Sequence, residues 1–143
     1  MSKAKKLIAI CIAAVLLCTT LATTAFAAGN ISDVAFTFAL LSNSSDVVKE
    51  RPKYDDSWVY IKCTSAEYKF QATPCVSFAE EVGTKWAFDE CGNTYTIYNG
   101  STRWMINYIY ENYGYGQNAT IMGVGVDKPT FYVVKGVWSP DSV

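Results

Sequence analysis

A hydrophobic period of two is the feature that most narrows what this chain can become. In Val34-Ala35-Phe36-Thr37-Phe38-Ala39-Leu40 the large apolar side chains take every second position. Successive strand residues point to opposite faces, so these groups share one face of a β-strand. Ser57 to Thr64 repeats the pattern, with Val59, Ile61 and Cys63 on one side and Trp58, Tyr60 and Lys62 on the other. Each strand therefore has a side to bury. Between them, 43–56 is polar, charged and contains Pro52, which lacks a ladder donor and biases Arg51 away from helix. That stretch reads as a loop or an irregular edge.

Turn chemistry predicts two hairpins. Tyr95-Thr96-Ile97-Tyr98 is followed by Asn99-Gly100 and then by 101–110, rich in aromatics and isoleucine. Asn-Gly readily adopts the positive φ angles of a type I′ turn, which would pair Tyr98 with Ser101 and set Tyr95 across from Trp104. The crowding of β-branched and aromatic side chains in 101–110 favours a strand over a helix. A second hairpin is expected between 119–126 and 131–138 around Asp127-Lys128-Pro129-Thr130. It sets Gly125 against Tyr132 and Gly123 against Val134, where glycines leave room for a ring. The opposite face, with Met122, Val124 and Val126 against Phe131 and Val133, is expected to be core. Strands near 34–40, 57–63, 68–72, 75–79, 86–90, 94–98, 102–110, 119–126 and 131–138 fit an all-β fold, an antiparallel β-sandwich or small barrel. No internal repeat or second domain is apparent.

The N-terminus reads as a secretory signal over residues 1–27. Lys3, Lys5 and Lys6 form a basic start, Leu7 to Cys18 an apolar stretch, and Ala25-Phe26-Ala27 a small-x-small cleavage site. Thr19, Thr20, Thr23 and Thr24 interrupt the apolar run before it reaches the ~20 residues of a spanning helix. Cys18 follows Leu17, where a small residue would precede a lipidated cysteine. The expectation is a secreted protein with one β domain, 28–143, and no membrane span after processing. Losing the three signal lysines leaves nine of the 12 basic residues against 13 acidic ones, a net charge of −4. That sign disfavours nucleic acid, which needs a basic stripe.

The sequence has no histidine, so it holds neither a Ser-His nor a Cys-His relay and no imidazole metal site. Three of its five cysteines lie outside the signal: Cys63, Cys75 and Cys91. These fall short of a zinc site, and no metal or other cofactor is expected. If 75–79 and 87–91 pair as a hairpin centred on Gly83, Cys75 faces Cys91 and Phe78 faces Phe88. A Cys75–Cys91 disulfide is therefore expected, worth about 3 kcal/mol for its loop of about 15 residues. Cys63 is expected as a buried apolar thiol.

The carboxylate pairs Glu80-Glu81 and Asp89-Glu90 could serve a hydrolase if they flanked a cleft. Adjacent strand residues point to opposite faces, so they read as solvated turn charge. Aromatic side chains offer a better lead: 20 remain after processing, more than one small core hides. Tyr113 and Tyr115, flanked by Gly114 and Gly116, are the candidate binding residues, because binding side chains concentrate on loops.

Ala27-Ala28-Gly29-Asn30, Phe36-x-Phe38, Arg51-x-Lys53 leading to Ser57-x-x-Tyr60, the segment from Ile106 to Tyr115, and the ending Gly136-Val137-Trp138-Ser139-Pro140-Asp141-Ser142 together resemble a family of small exported proteins of Gram-positive bacteria with no assigned function. The resemblance covers most of the chain after the signal, and the Trp-Ser-Pro-Asp-Ser tail is its most specific part. It implies an exported single domain and supplies no catalytic residues. The function expected is a non-enzymatic binding or interaction module at or outside the cell envelope, taking a protein, peptide or glycan ligand. A secreted antimicrobial or toxin-like factor is the alternative, and a carboxylate-dependent hydrolase comes third.

Overall fold

Alternation becomes structure most directly in the first strand, β1 (Val34–Leu40), where Phe36, Phe38 and Leu40 are buried and Thr37 and Ala39 are exposed. The structure, a computed structural model, describes residues 29–78, 87–126 and 130–142. After β1 come β2 (Ser45–Val47), β3 (Arg51–Lys53), β4 (Val59–Ala66), β5 (Phe70–Phe78), β6 (Ala87–Glu90), β7 (Tyr95–Ile97) and β8 (Thr102–Met105). A short helix α1 (Ile109–Tyr113) and the strands β9 (Gln117–Gly125) and β10 (Tyr132–Ser139) complete the fold.

The strands form two sheets, and every pairing between these strands is antiparallel. One sheet has the order β1-β10-β4-β8. The other has the order β2-β9-β5-β6, with β3 also on β9 and β7 also on β5. The fold is an all-β sandwich, as the spacing of strands predicts. Its core joins Phe36, Phe38, Val59, Ile61, Cys63, Val134 and Trp138 of the first sheet to Phe70, Ala72, Ile97 and Ile121 of the second. Phe38 bridges the layers, meeting Phe36 at 4.8 Å and the edge of Phe70 at 5.8 Å between ring centroids. Each such side chain contributes about 1.5–3 kcal/mol on leaving water.

Several expectations change. The segments 68–72 and 75–79 are one nine-residue strand running through Pro74. Proline is tolerated there because β7 pairs with 70–72 and β6 with 75–78, so Pro74 falls in the gap between these neighbours. Its carbonyl accepts from the Cys91 N–H at 2.9 Å. The Asn99-Gly100 turn exists, with the Ser101 N–H donating to the Tyr98 carbonyl at 3.0 Å, but only Gly100 has positive φ, 76°. That is the type II pattern, which splays the flanking strands instead of pairing them. β7 accordingly joins the second sheet and β8 the first, and Trp104 pairs with Tyr60 instead of Tyr95.

The expected strand 102–110 stops at Met105. Buried Asn107 diverts the chain: its amide oxygen accepts from the Ile109 N–H at 3.3 Å and its NH₂ donates to the Ser57 carbonyl at 3.1 Å. Helix α1 follows, burying Ile109 against Val76, Cys91 and Ala119.

β9 and β10 lie in different sheets, so their expected hairpin does not form. The core face is also inverted. Ile121, Gly123, Gly125, Tyr132, Val134 and Gly136 are buried, whereas Phe131 and Val133 are exposed. A Cβ on Gly123 would sit 2.7 Å from the Phe38 ring, so the glycine face receives a ring from the opposite sheet. The connection 127–129, the pair Glu80-Glu81 and the expected signal over 1–27 lie outside the described residues.

The disulfide expectation is corrected too. Cys63, Cys75 and Cys91 are buried free thiols. β5 and β6 pair one residue out of the anticipated register, setting Cys75 against Glu90 and Phe78 against Ala87. A one-residue slip reverses which side chains share a face. Burial pushes the Cys63 and Cys91 thiols up and carries Cys75 to about 12.

Candidate functional site

The connection from β3 to β4 and the C-terminal tail meet at one end of the first sheet, and a buried ion pair fixes their meeting. Lys53 Nζ donates to the Ser57 carbonyl at 2.6 Å, the Pro140 carbonyl at 2.8 Å and Asp141 Oδ1 at 3.1 Å, so all three of its protons are used. Both side chains are wholly buried. Asp141 also accepts from the Asn30 and Tyr54 N–H groups. Asp55 reinforces the turn by accepting from the Ser57 N–H at 2.9 Å. Burial alone would raise its carboxyl pKa, but hydrogen bonds from Ser57 and the nearby Lys53 ammonium hold it below the ordinary value. Arg51 binds Ser32 and Asn30 and lies over the Trp138 ring at 5.8 Å.

Beside this buried pair stands an aromatic frame. Tyr60 and Trp104 are register partners with ring centroids 5.6 Å apart. Trp58, at the mouth of β4, and Trp104 are each 50% exposed. An open cavity of about 460 Å³ is lined by Asp56, Ser57, Trp58, Trp104 and Ser142. A second, of about 260 Å³, is lined by Ile31, Asp33, Tyr60, Trp104, Ser139 and Ser142. Trp104 and Ser142 belong to both, so the two are lobes of one cleft. Its chemistry is indole and phenol faces beside exposed carboxylates and serine hydroxyls. Among the described residues, no cluster of three or more His, Cys, Asp or Glu side chains could hold a metal ion.

The loop tyrosines lie elsewhere. The Tyr113 ring meets the edge of Phe78 at 5.4 Å and its hydroxyl donates to Asp89 Oδ2 at 2.8 Å. That hydrogen bond, with desolvation and the Asp89 charge adding to it, pushes its pKa up to about 12. Tyr115 is 64% exposed and packs on Tyr54 at 5.0 Å. The two rings thus attach to different partners and line neither lobe. The tryptophans could have been singled out from sequence. Trp58 and Tyr60 fall on the strand face opposite Val59, Ile61 and Cys63, and large aromatics on a solvent face mark binding surfaces. Trp104 was hidden by its assignment to the wrong hairpin.

Residues 23–142 match the family model described as Protein of unknown function (DUF2712). No curated protein and no solved structure matches the chain.

Proposed function

The chain belongs to the DUF2712 family of proteins of unknown function, and we propose that it is an exported binding module, not an enzyme, gripping its ligand between Trp58 and Trp104. The observation that carries this reading is the pair of half-exposed tryptophans framing one cleft over an ion-paired floor. A solvent-facing indole is costly to leave wet, and Trp and Tyr dominate the energetic centres of binding surfaces. Export is supported by the basic, apolar and small-x-small succession of residues 1–27. The sequence resemblance adds a Gram-positive envelope as the setting.

The test is co-sedimentation of the purified protein with insoluble cell-envelope material. Trp58→Ala/Trp104→Ala should abolish it while leaving the thermal midpoint within a few degrees of the parent, since neither ring belongs to the core. Undiminished sedimentation of that variant would move the binding surface elsewhere.

A further inference from the structure

Building on the reading of this cleft as the binding site, we propose that its ligand is a quaternary ammonium group carried on an otherwise uncharged chain. The cleft's charge selects the sign. Among the described residues, the charged side chains lining it are Asp33 and Asp56. Two nearby cations are committed: Lys53 is buried on Asp141, and Arg51 is held by Ser32 and Asn30. Lys62, the next outward residue of β4 after Tyr60, lines neither lobe. An acidic cleft is complementary to a cation.

The walls select the kind of cation. Indole is the strongest aromatic partner for a cation lying over its face, within about 6 Å of the ring centroid. At the floor, the Ser57 acceptors are engaged internally. The Ser57 carbonyl accepts from Lys53 and Asn107, and the Ser57 hydroxyl accepts from the Ser142 N–H at 2.9 Å. A primary ammonium is strongly hydrated and would lose that hydration against the indole faces. A trimethylammonium group has no donor to satisfy. It needs only aromatic faces and a negative field, which Trp58, Trp104, Asp33 and Asp56 supply.

The experiment titrates the purified protein with choline chloride at constant ionic strength, following ligand methyl resonances by NMR. It is repeated with 3,3-dimethylbutan-1-ol, in which carbon replaces the charged nitrogen, and with maltose. Choline should bind saturably, and the neutral alcohol roughly tenfold more weakly. Trp58→Leu and Trp104→Leu should each weaken choline roughly fivefold or more, and Asp33→Asn or Asp56→Asn a few-fold, with thermal midpoints unchanged. Equal binding of choline and the alcohol, lost in both tryptophan variants, would overturn the cation assignment while leaving the cleft as the binding site. Saturable choline binding indifferent to both tryptophan variants would overturn the cleft itself. Binding of maltose without choline would overturn the proposal in favour of a saccharide.

Discussion

Tyr113 and Tyr115 stand two positions apart in a stretch that reads as one mobile aromatic loop, yet the fold uses them differently. Tyr113 closes α1 onto the sheet by reaching Asp89, whereas Tyr115 leans on Tyr54 with most of its surface in water. The Asp89 contact favours the protonated phenol, so the folded-state pKa of about 12 lies above the ordinary tyrosine value of about 10. A pKa raised by folding gives stability that is fully present below the unfolded value and lost as pH climbs through the folded one. Tyr113→Phe should therefore melt below the parent at neutral pH, and the gap should close between about pH 10 and about pH 12. Ultraviolet titration should find one late tyrosine in the parent that the variant lacks. A gap independent of pH would assign the effect to packing. The thiols allow a second check. With Cys75 pushed up to about 12 by burial, iodoacetamide at pH 8 should leave Cys63, Cys75 and Cys91 unlabelled in the native protein and label all three in denaturant without reductant. Failure of Cys75 and Cys91 to label in denaturant would mean that they are bridged.

At the scale of elements, alternation names the face of a strand but not the sheet it joins, and this divides what the sequence discloses from what it hides. Phe36, Phe38 and Leu40, and Val59, Ile61 and Cys63, turn inward as their spacing requires. The partners of β7, β8, β9 and β10 were illegible, because chain neighbours that look like hairpins separate into opposite sheets. Asn99-Gly100 is the instructive residue pair. The dipeptide forms a turn in either case, but type I′ would continue a sheet and the observed positive φ at Gly100 alone opens a corner. The glycines of β9 mislead in the same way. They draw the expected core to the opposite face, although their own face is the buried one and receives Phe38 from across the core. Gly123→Ala should thus cost about 1–3 kcal/mol by overpacking, since the ring must move to admit a Cβ at 2.7 Å. A Cβ on Gly100 would meet nothing within 4 Å, so the loss expected for Gly100→Val is backbone strain at φ 76°, about 1–3 kcal/mol. Chemical denaturation of both, with Phe38→Leu/Gly123→Ala as the relieved pair, separates the two causes. Gly123→Ala should be partly rescued by the smaller partner, and unrelieved loss would contradict the packing account.

The whole molecule is closed by a contact no local pattern announces. Lys53 and Asp141, 88 residues apart, tie the irregular edge to the C-terminal tail, and Asp141 also holds the chain at Asn30. A lysine in a polar stretch and an aspartate near the terminus both read as solvated charge, which is why this latch was illegible. The resemblance singled out the segments that carry it, Arg51-x-Lys53 and Trp-Ser-Pro-Asp-Ser, without giving their role. Taking one charge from a buried pair strands the other in a low dielectric at a cost of about 3–5 kcal/mol, a large share of the ~5–15 kcal/mol that holds a domain together. Asp141→Ala and Lys53→Met should each lower the urea midpoint severely. Lys53→Met/Asp141→Leu should lose much less than the sum, because no uncompensated charge remains. The cleft should respond as well, since Ser139 and Ser142 line it and Ser57 anchors both its wall and the tail. In the double variant, ligand affinity should fall even where most of the protein is folded, as the tail loses the Lys53 contact that positions it. Additive losses across the cycle would show that the two charges act independently, and unchanged affinity in the folded double variant would separate the latch from the site.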